Sequence, residues 1–361
     1  MHRRVLLGTA ASALLMLATP AFAHHPSGAT STGGGGTINT ISATTLEAGQ
    51  SAASIMFEMV KINPFSDAQL ISLAGNHIHA HSIDAILAPT AVLAYGVTND
   101  LTVIARIPYI IRTNVREGEH HHTGGGVVNS VVERGDSDGI GDLTLLAQYR
   151  FLNDRRTRTE AALLLGVKAP TGSTSVKDKH GDLFETEFQP GTGSWDGLAG
   201  LAFTQRTGLW SFDASILYVL ASTGAQDTNL GNRFQYNVGV SYRIITGASG
   251  PMYLGAMPEP MYHGGPKKGR GHHHHEEPAA PKGPSLDLVL ELNGEWHDRT
   301  TIAGVTDANS GGNVVYLAPG VRYAVGNVSS FVSFGVPIVN DLNGIQAEPS
   351  WRLLTGVSVT F

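Results

Sequence analysis

Apolar and polar residues alternate one by one along much of this chain, and this pattern limits its fold more than any other feature. In 351–361, aromatic and aliphatic residues recur at alternate positions among small or polar ones, and 143–151, 210–218, 234–243 and 286–293 repeat the pattern. Side chains of a β-strand point alternately to opposite faces. The period of two therefore predicts strands with one apolar and one polar face.

Two all-β architectures share such strands: a soluble sandwich, with the apolar face in its core, and a membrane barrel, with that face toward lipid. Aromatic residues near strand ends, such as Trp210, Tyr149 and Trp351, favour the barrel because they resemble interfacial girdles. After residue 23 no run of apolar residues is long enough for a membrane-spanning helix. We therefore predict a closed antiparallel transmembrane β-barrel of about 12 strands (range 10–14). The predicted strands are 52–62, 82–97, 101–113, 138–152, 158–170, 194–206, 209–221, 233–246, 285–298, 313–325, 328–339 and 350–361.

The predicted connections alternate between short turns and long loops, as in bacterial outer-membrane barrels. Turns such as Thr207-Gly208 and Gly326-Asn327 contain two residues. With an even strand number, the short turns and the C-terminus face the periplasm and the long loops face outward. The long loops are predicted at 63–81, 114–137, 171–193, 222–232, 299–312 and 340–349.

The N-terminus has the three regions of a secretory signal peptide. A short basic start precedes an uncharged apolar run and the small-x-small site Ala21-Phe22-Ala23. We predict a cleaved signal peptide over 1–23, a flexible His/Gly-rich segment over 24–50, and a barrel over 51–361 with a disordered His/Pro/Gly-rich insert at 247–284. Export and strand pattern together predict the outer membrane of a Gram-negative bacterium.

Charge and cysteine content exclude several functions. The formal net charge is −6, which gives no reason to expect nucleic-acid binding. The chain has no cysteine, so a disulfide framework, thiolate metal sites and a lipid-modified cysteine are excluded. Membrane association must then come from the fold.

Several motifs resemble one outer-membrane family. Residues 137–143 (SDGIGDL), 148–151 (QYRF), 168–172 (KAPTG) and 190–196 (PGTGSWD) together are similar to the family of transporters of the meta-cleavage pathway of phenol degradation, and 334–338 (FGVPI) is compatible with it. The resemblance implies a barrel that passes small solutes. The sequence departs from this family in its histidines and in its insert.

The C-terminal strand resembles that of bacterial outer-membrane barrels, because its alternating pattern ends in Phe361. The resemblance implies that the barrel-insertion machinery recognises this strand. The predicted partners are therefore outer-membrane lipid, the insertion machinery, and a small solute or metal ion.

Most of the sixteen histidines form short clusters outside the predicted strands. Imidazole is a ligand for Cu, Zn and Ni, so the histidine clusters predict divalent metal binding. Methionine thioethers, which lie beside the histidines of the insert, favour Cu(I), so copper is the favoured metal. The alternative is that the clusters are solvated polar loops. No cofactor is required for either interpretation. The candidate metal ligands are His24, His25, His77, His79, His81, His120, His121, His122, Met252, Met257, Met261, His263, His272, His273, His274 and His275.

The polar faces of the predicted strands carry charges of both signs, which is typical of the lining of a wet barrel. The chain has no Gly-x-Ser-x-Gly and no helical metalloprotease motif. We therefore expect no catalysis. The predicted lumen-lining residues are Glu58, Arg106, Arg112, Asp142, Arg150, Glu160, Lys168, Asp213, Arg243, Asp287, Glu291, Arg322 and Arg352.

The leading hypothesis is a channel or transporter for small solutes with metal-binding loops. Its main alternative is a metal-sequestering or metal-sensing barrel with a closed lumen, and an outer-membrane hydrolase is a distant third. An open lumen conducts ions in a planar bilayer and a plugged one does not, so conductance separates the first two.

Overall fold

The protein, described by a computed structural model over residues 36–123, 126–246 and 283–361, is a closed barrel of 12 antiparallel strands. The number equals the predicted one. The barrel strands are β1 (Ser51–Ile62), β2 (Ala85–Thr98), β3 (Leu101–Thr123), β4 (Leu143–Asp154), β5 (Thr159–Ala169), β6 (Asp196–Thr207), β7 (Trp210–Leu220), β8 (Arg233–Thr246), β9 (Ser285–His297), β10 (Gly312–Val325), β11 (Val328–Leu342) and β12 (Pro349–Thr360).

The first and last strands close the barrel. β1 pairs antiparallel with β12, from Ala52 opposite Thr360 to Lys61 opposite Trp351. The backbone N–H of Phe361 donates to the carbonyl oxygen of Ser51 at 2.9 Å. Every other barrel strand pairs with its neighbours in the sequence. Closure leaves no unpaired strand edge in the barrel.

The barrel buries polar side chains and exposes apolar ones, the reverse of a soluble sandwich. Along β7, Phe212 is 44% exposed and Ile216 is 41% exposed, whereas Asp213 between them is only 3% exposed. A belt of exposed aliphatic and aromatic side chains is the lipid-facing surface of a transmembrane barrel. Among the described residues, no helix is long and apolar enough to cross a membrane.

The barrel has two different ends. The turns 99–100, 155–158, 208–209 and 326–327 join strands at one end, hereafter the turn end. Gly326 has a φ of +57°, which glycine adopts without steric cost. Long connections lie at the opposite end, hereafter the loop end. This alternation agrees with the predicted one.

The structure corrects the prediction of a loop at 114–137. β3 continues to Thr123 and pairs with a further strand, Gly126–Ile140, so that a long hairpin projects from the loop end. His120 and His121 therefore lie on a strand. The period-two pattern is absent here because a hairpin beyond the bilayer has no lipid-facing side and can carry polar residues on both faces.

The loop end also contains short elements. Helix α1 (Asp67–Gly75) begins at Ser66, whose hydroxyl accepts from the backbone N–H of Gln69, and Gln69 in turn accepts from the backbone N–H of Ser66. This reciprocal capping box stabilises the helix start. The remaining elements are the short strands His81–Ser82, Thr228–Asn229, Thr301–Ile302 and Val305–Thr306 and the 3-10 helices Thr186–Phe188 and Ala225–Asp227.

Residues 36–50, hereafter the lumenal segment, run inside the barrel. Ile38, Ile41 and Ala43 are buried against side chains of the barrel wall, including Val289 and Phe331. The expectation of a flexible segment over 24–50 is thereby corrected for 36–50, because polar groups of the wall bind its backbone along its length. Residues 24–35, the predicted signal peptide and residues 247–282 of the predicted insert lie outside the described residues.

Candidate functional site

Glu291 of β9 holds the lumenal segment most tightly. Its carboxylate accepts hydrogen bonds from the backbone N–H groups of Asn39, at 3.0 Å, and Thr40, at 2.8 Å, and from the hydroxyl of Thr40 at 2.8 Å. Glu291 is 1% exposed. Hydrogen bonds to an ionised acceptor are stronger than those between neutral groups. The buried charge is thus satisfied by the segment itself.

Two further charged side chains hold Thr37, near the start of the lumenal segment. The backbone N–H and hydroxyl of Thr37 donate to Asp213 Oδ2 at 3.3 and 3.2 Å. The guanidinium of Arg322 donates to the carbonyl oxygen of Thr37 at 2.6 Å. Both charged side chains are buried. One residue of the segment therefore connects β7 with β10 on another side of the barrel.

Towards the turn end, the segment crosses to the wall formed by β4, β5 and β6. The hydroxyl of Thr44 donates to Glu160 at 2.8 Å, and the side-chain amide of Gln148 donates to the carbonyl oxygens of Ser42 and Thr44. Glu160 also accepts from Arg206 at 2.7 Å. The segment therefore lies across the lumen, from β10 to β4.

At the loop end, residues 170–195 fold back to the barrel and are held by Asp142. Its carboxylate accepts from the backbone N–H of Gly172 at 2.9 Å and from the hydroxyl of Thr192 at 2.7 Å. Lys168 lies 3.5 Å from the Asp142 carboxylate and 2.6 Å from that of Asp196. These groups are buried, so they fix the base of the loop.

The same loop places aromatic side chains in the loop end of the barrel. Phe184 and Phe188 are 3% and 2% exposed, and Arg112 of β3 donates to the carbonyl oxygens of Phe188 and Gln189 at 3.3 and 3.2 Å. An apolar cluster therefore lies beside the charged lining. Its buried members are Val60, Ile62, Ile83, Ile86, Ala88, Ile110, Val115, Phe184, Phe188 and Ala347.

Twelve of the thirteen predicted lumen-lining residues lie on the buried face of their strands, and Asp142 directly precedes β4. Arg106 and Arg150 are half-buried; the other eleven are buried. Arg243 of β8 forms a two-pronged pair with Asp287 of β9, at 2.7 and 3.0 Å. Arg352 donates to Asn293 at 2.6 Å and lies over the ring of Tyr316. The lining is a set of paired charges on several strands.

The structure brings two of the predicted histidine clusters together above the lumen. The rings of His77 and His120 are 4.4 Å apart between centroids. His79 Nδ1 and His81 Nε2 lie 3.4 and 3.5 Å from the same oxygen, Oε1 of Glu117 on β3. His121 instead pairs with Glu119 at 2.6 Å.

Two carboxylates of the folded-back loop complete this cluster. His81 Nε2 is 3.6 Å from Glu185 Oε2, and His81 Nδ1 is 3.6 Å from Glu187 Oε1. His79, His81, Glu117, Glu185 and Glu187 are hereafter the rim cluster. They come from three separate parts of the chain and surround the buried imidazole of His81.

The electrostatics of the rim cluster are unusual. Burial disfavours a charged His81, but the carboxylates of Glu185, Glu117 and Glu187 outweigh this and raise the pKa of His81 to about 10. Burial, reinforced by the neighbouring Glu185, raises the pKa of Glu187 well above its usual range. The pKa of His81 rises because three carboxylates surround its imidazole, and the pKa of Glu187 rises mainly because its own carboxyl group is buried.

The other predicted metal ligands cannot be placed in this site. His24, His25, Met252, Met257, Met261, His263 and His272 to His275 lie outside the described residues, and so does the side chain of His122. Metal binding by these residues stays a prediction.

Sequence reasoning missed the residues that complete both parts of the site. Glu117, Glu185 and Glu187 lay in predicted loops, although Glu185-x-Glu187 and His79-x-His81 share the spacing of side chains on one face of a strand. The lumenal segment was missed too. Its sequence TINTISATTL is rich in hydroxyl groups and has no charge, which suits a strand-like segment that binds charged walls.

The fold is found in solved outer-membrane proteins. An outer membrane channel from Pseudomonas putida F1 matches with a TM-score of 0.50 and 14% identity, over 88% of this chain and 97% of that one. The Ralstonia pickettii toluene transporter TbuX matches with a TM-score of 0.38 and 10% identity, over 88% and 90% of the two chains. The first match shows a shared barrel fold, and the second score is too low to add to it.

Sequence comparison identifies the family. No curated protein matches the chain at a significant level. The family model described as "Putative MetA-pathway of phenol degradation" matches residues 73–254, just over half of the chain. The matched region includes strands β2 to β8 and the rim cluster. The chain therefore belongs to this family of outer-membrane β-barrels.

Proposed function

We propose that this barrel passes small, mainly apolar solutes across the outer membrane. The observation that carries the proposal is the apolar cluster at the loop end, where Phe184 and Phe188 of the folded-back loop meet Ile62, Ile86 and Ile110 of the barrel wall. Small-molecule sites are mostly apolar with a few placed polar groups. Arg112 and Ser137, which both donate to the carbonyl oxygen of Phe188, are such groups here.

The family supports the aromatic character of the solute. Its description refers to phenol degradation, and the solved barrel of the same fold is named as an outer membrane channel. A monoaromatic compound combines a flat apolar ring with at most a few polar substituents. Such a molecule matches an apolar cluster that is bordered by hydrogen-bonding groups.

Transport through the lumen requires the lumenal segment to move or to leave a path beside itself. In the conformation described, residues 37–46 cross the barrel from β10 to β4 and bind charged groups on both sides. We propose that displacement of this segment accompanies passage of the solute. The lumenal segment would then act as a gate on the turn-end side of the lumen.

A reversible cross-link tests the gate. The chain has no cysteine, so a pair introduced at Ala43 and Thr204, where the backbone N–H of Ala43 lies 2.9 Å from Thr204 Oγ1, would form the only disulfide. In cells that degrade toluene, uptake at limiting concentration should fall to the vector-only rate when the pair is oxidised and recover on reduction. The cysteine-free parent, treated identically, is the control.

The outcomes separate the parts of the proposal. Equal uptake by oxidised and reduced protein would contradict the gate but keep the channel. Uptake by the parent no faster than by cells without it would contradict the channel itself. That second result, together with zero conductance in planar bilayers, would favour the alternative of a closed metal-sequestering barrel.

Copper binding by the His/Met-rich insert is a separate proposal, supported only by the sequence. Thioethers and imidazoles favour Cu(I) and Cu(II) respectively. Replacement of His272, His273, His274 and His275 by alanine should weaken copper binding to the purified protein. Unchanged copper affinity would contradict this role.

A further inference from the structure

We propose that His81, Glu117 and Glu185 bind a divalent transition-metal ion at the rim of the loop end. One nitrogen of His81 and one oxygen of each carboxylate all lie within 4.8 Å of one another. The site is independent of solute transport and of the His/Met-rich insert. It lies on described residues, at the point where the folded-back loop meets the barrel.

The distances between the ligand atoms match a small coordination sphere. His81 Nε2 lies 3.5 Å from Glu117 Oε1 and 3.6 Å from Glu185 Oε2. These separations are too long for good hydrogen bonds. Two ligand atoms bonded to a tetrahedral Zn²⁺ at roughly 2.0–2.1 Å are about 3.3 Å apart. Each of the two nitrogen–oxygen separations is therefore within a few tenths of an ångström of the value for two ligands of one ion, and the two carboxylate oxygens lie within 4.8 Å of each other.

Unsatisfied acceptors point independently to a ligand. Glu185 Oε2 and Glu187 Oε1 are buried and have no hydrogen-bond partner among the described residues. Glu187 is only 4% exposed, and its Oε1 lies 3.6 Å from His81 Nδ1. A buried carboxylate oxygen without a hydrogen bond is costly. A cation coordinated by His81 Nε2 would relieve this, with Glu187 as acceptor for the Nδ1 proton, as metal-bound histidines usually require.

The charge of the cluster also favours a divalent cation. Arg134 contacts Glu117, and its guanidinium is shared among Glu117, Glu119 and Asp178, at 2.7–3.0 Å. Arg112 faces backbone carbonyl oxygens. Three carboxylates therefore surround His81. A ligand set of imidazole and carboxylates, without sulfur, fits Zn²⁺ better than Cu(I).

Bound metal would connect parts of the chain that are far apart in sequence. His81 precedes β2, Glu117 lies on the outer part of β3, and Glu185 lies on the folded-back loop. The His81 ring packs edge-on against Phe188, with 5.0 Å between centroids. The ion would thus hold the folded-back loop in place, and with it Phe184 and Phe188 within the apolar cluster where we propose that the solute binds. This last consequence rests on the proposed channel function.

Zn²⁺ titration of the full-length protein in detergent tests the site. The parent carries alanine at His272 to His275, so that the histidine tetrad does not obscure the measurement. We expect Glu185→Gln and His81→Gln each to weaken the tightest Zn²⁺ site at least about tenfold, since loss of even an indirect ligand contact costs this much. Glu119→Gln, on the same strand as Glu117 and also bound to Arg134, is the matched control and should change affinity less than about twofold.

Glu185→Gln preserves side-chain volume and removes an oxygen that makes no hydrogen bond, so it should fold; retained heat-modifiability on gels verifies this. Zn²⁺ should also slow tryptic cleavage at Lys177 in the parent but not in Glu185→Gln.

Unchanged Zn²⁺ affinity in both site variants would overturn the site, and an equal loss in Glu119→Gln would reduce it to an effect of net charge. Normal Zn²⁺ binding in a protein that fails to transport would contradict only the channel.

Discussion

Thr40 donates two hydrogen bonds to one oxygen of Glu291, from its backbone N–H and from its hydroxyl, both at 2.8 Å. This contact joins the lumenal segment to a barrel strand 251 positions away in the sequence. It places a buried carboxylate where a water-filled barrel would have a solvated one. The occupancy of the lumen thus depends on a small number of identifiable hydrogen bonds.

Glu291→Ala should release the lumenal segment. Hydrogen bonds to a charged group contribute about 1.5–3 kcal/mol each, so loss of even one shifts the bound–released equilibrium by roughly ten- to a hundred-fold. Single-channel recording should show longer or larger openings than in the wild type. Glu295→Ala is the control, because Glu295 accepts from Gln235 of the barrel wall. Identical recordings for wild type and Glu291→Ala would contradict a gate held by this residue.

Asp287→Ala should strongly destabilise the barrel. The Arg243–Asp287 pair is buried, with Arg243 9% and Asp287 3% exposed in their side chains, and removal of one partner leaves an uncompensated charge. Breaking a buried pair costs about 3–5 kcal/mol. Urea unfolding in lipid vesicles measures the loss. If the double variant with Arg243→Ala were no more stable than Asp287→Ala alone, the stranded charge would not be the cause.

Leu201→Arg should prevent stable insertion. Leu201 lies near the middle of β6 and is 46% exposed on the lipid-facing side. Arginine at the bilayer midplane costs about 2–4 kcal/mol in transmembrane barrels. Val305→Arg is the matched control, since Val305 is 51% exposed but lies in a short strand of the loop end. The folded fraction after refolding into vesicles should fall for Leu201→Arg only. A fall in both would argue against a lipid-facing position for Leu201.

Gly294→Ala should destabilise the pairing of β8 with β9. Tyr236 lies opposite Gly294, and an added methyl group would be 2.1 Å from its ring. Overpacking of this kind typically costs about 1–3 kcal/mol. Gly197→Ala on β6 is the control, because nothing lies within 4 Å of its added methyl group. Urea unfolding should separate the two variants, and equal stability would show that the Tyr236 ring moves aside freely.

The barrel was predictable because the alternation of apolar and polar residues in each strand reflects the two environments that the strand faces. Lipid on one side and a polar interior on the other impose the period of two, so segments such as 210–220 and 233–246 could be located almost to the residue. The alternation no longer predicts strands beyond the edge of the bilayer. β3 beyond Thr113 has water or protein on both faces, and its ten further residues were therefore expected to form a loop.

The sequence by itself determined the fold class, the approximate strand number, the alternation of turns and loops, and the family resemblance. Only the tertiary structure decided what fills that interior and which histidines meet. Strand faces follow from the local alternation of side chains. The contacts Thr40–Glu291 and His81–Glu185 instead join positions 251 and 104 residues apart, and they depend on barrel closure and on the path of a folded-back loop. No local periodicity encodes such a path, because it is set by the combined hydrogen bonding of many distant groups.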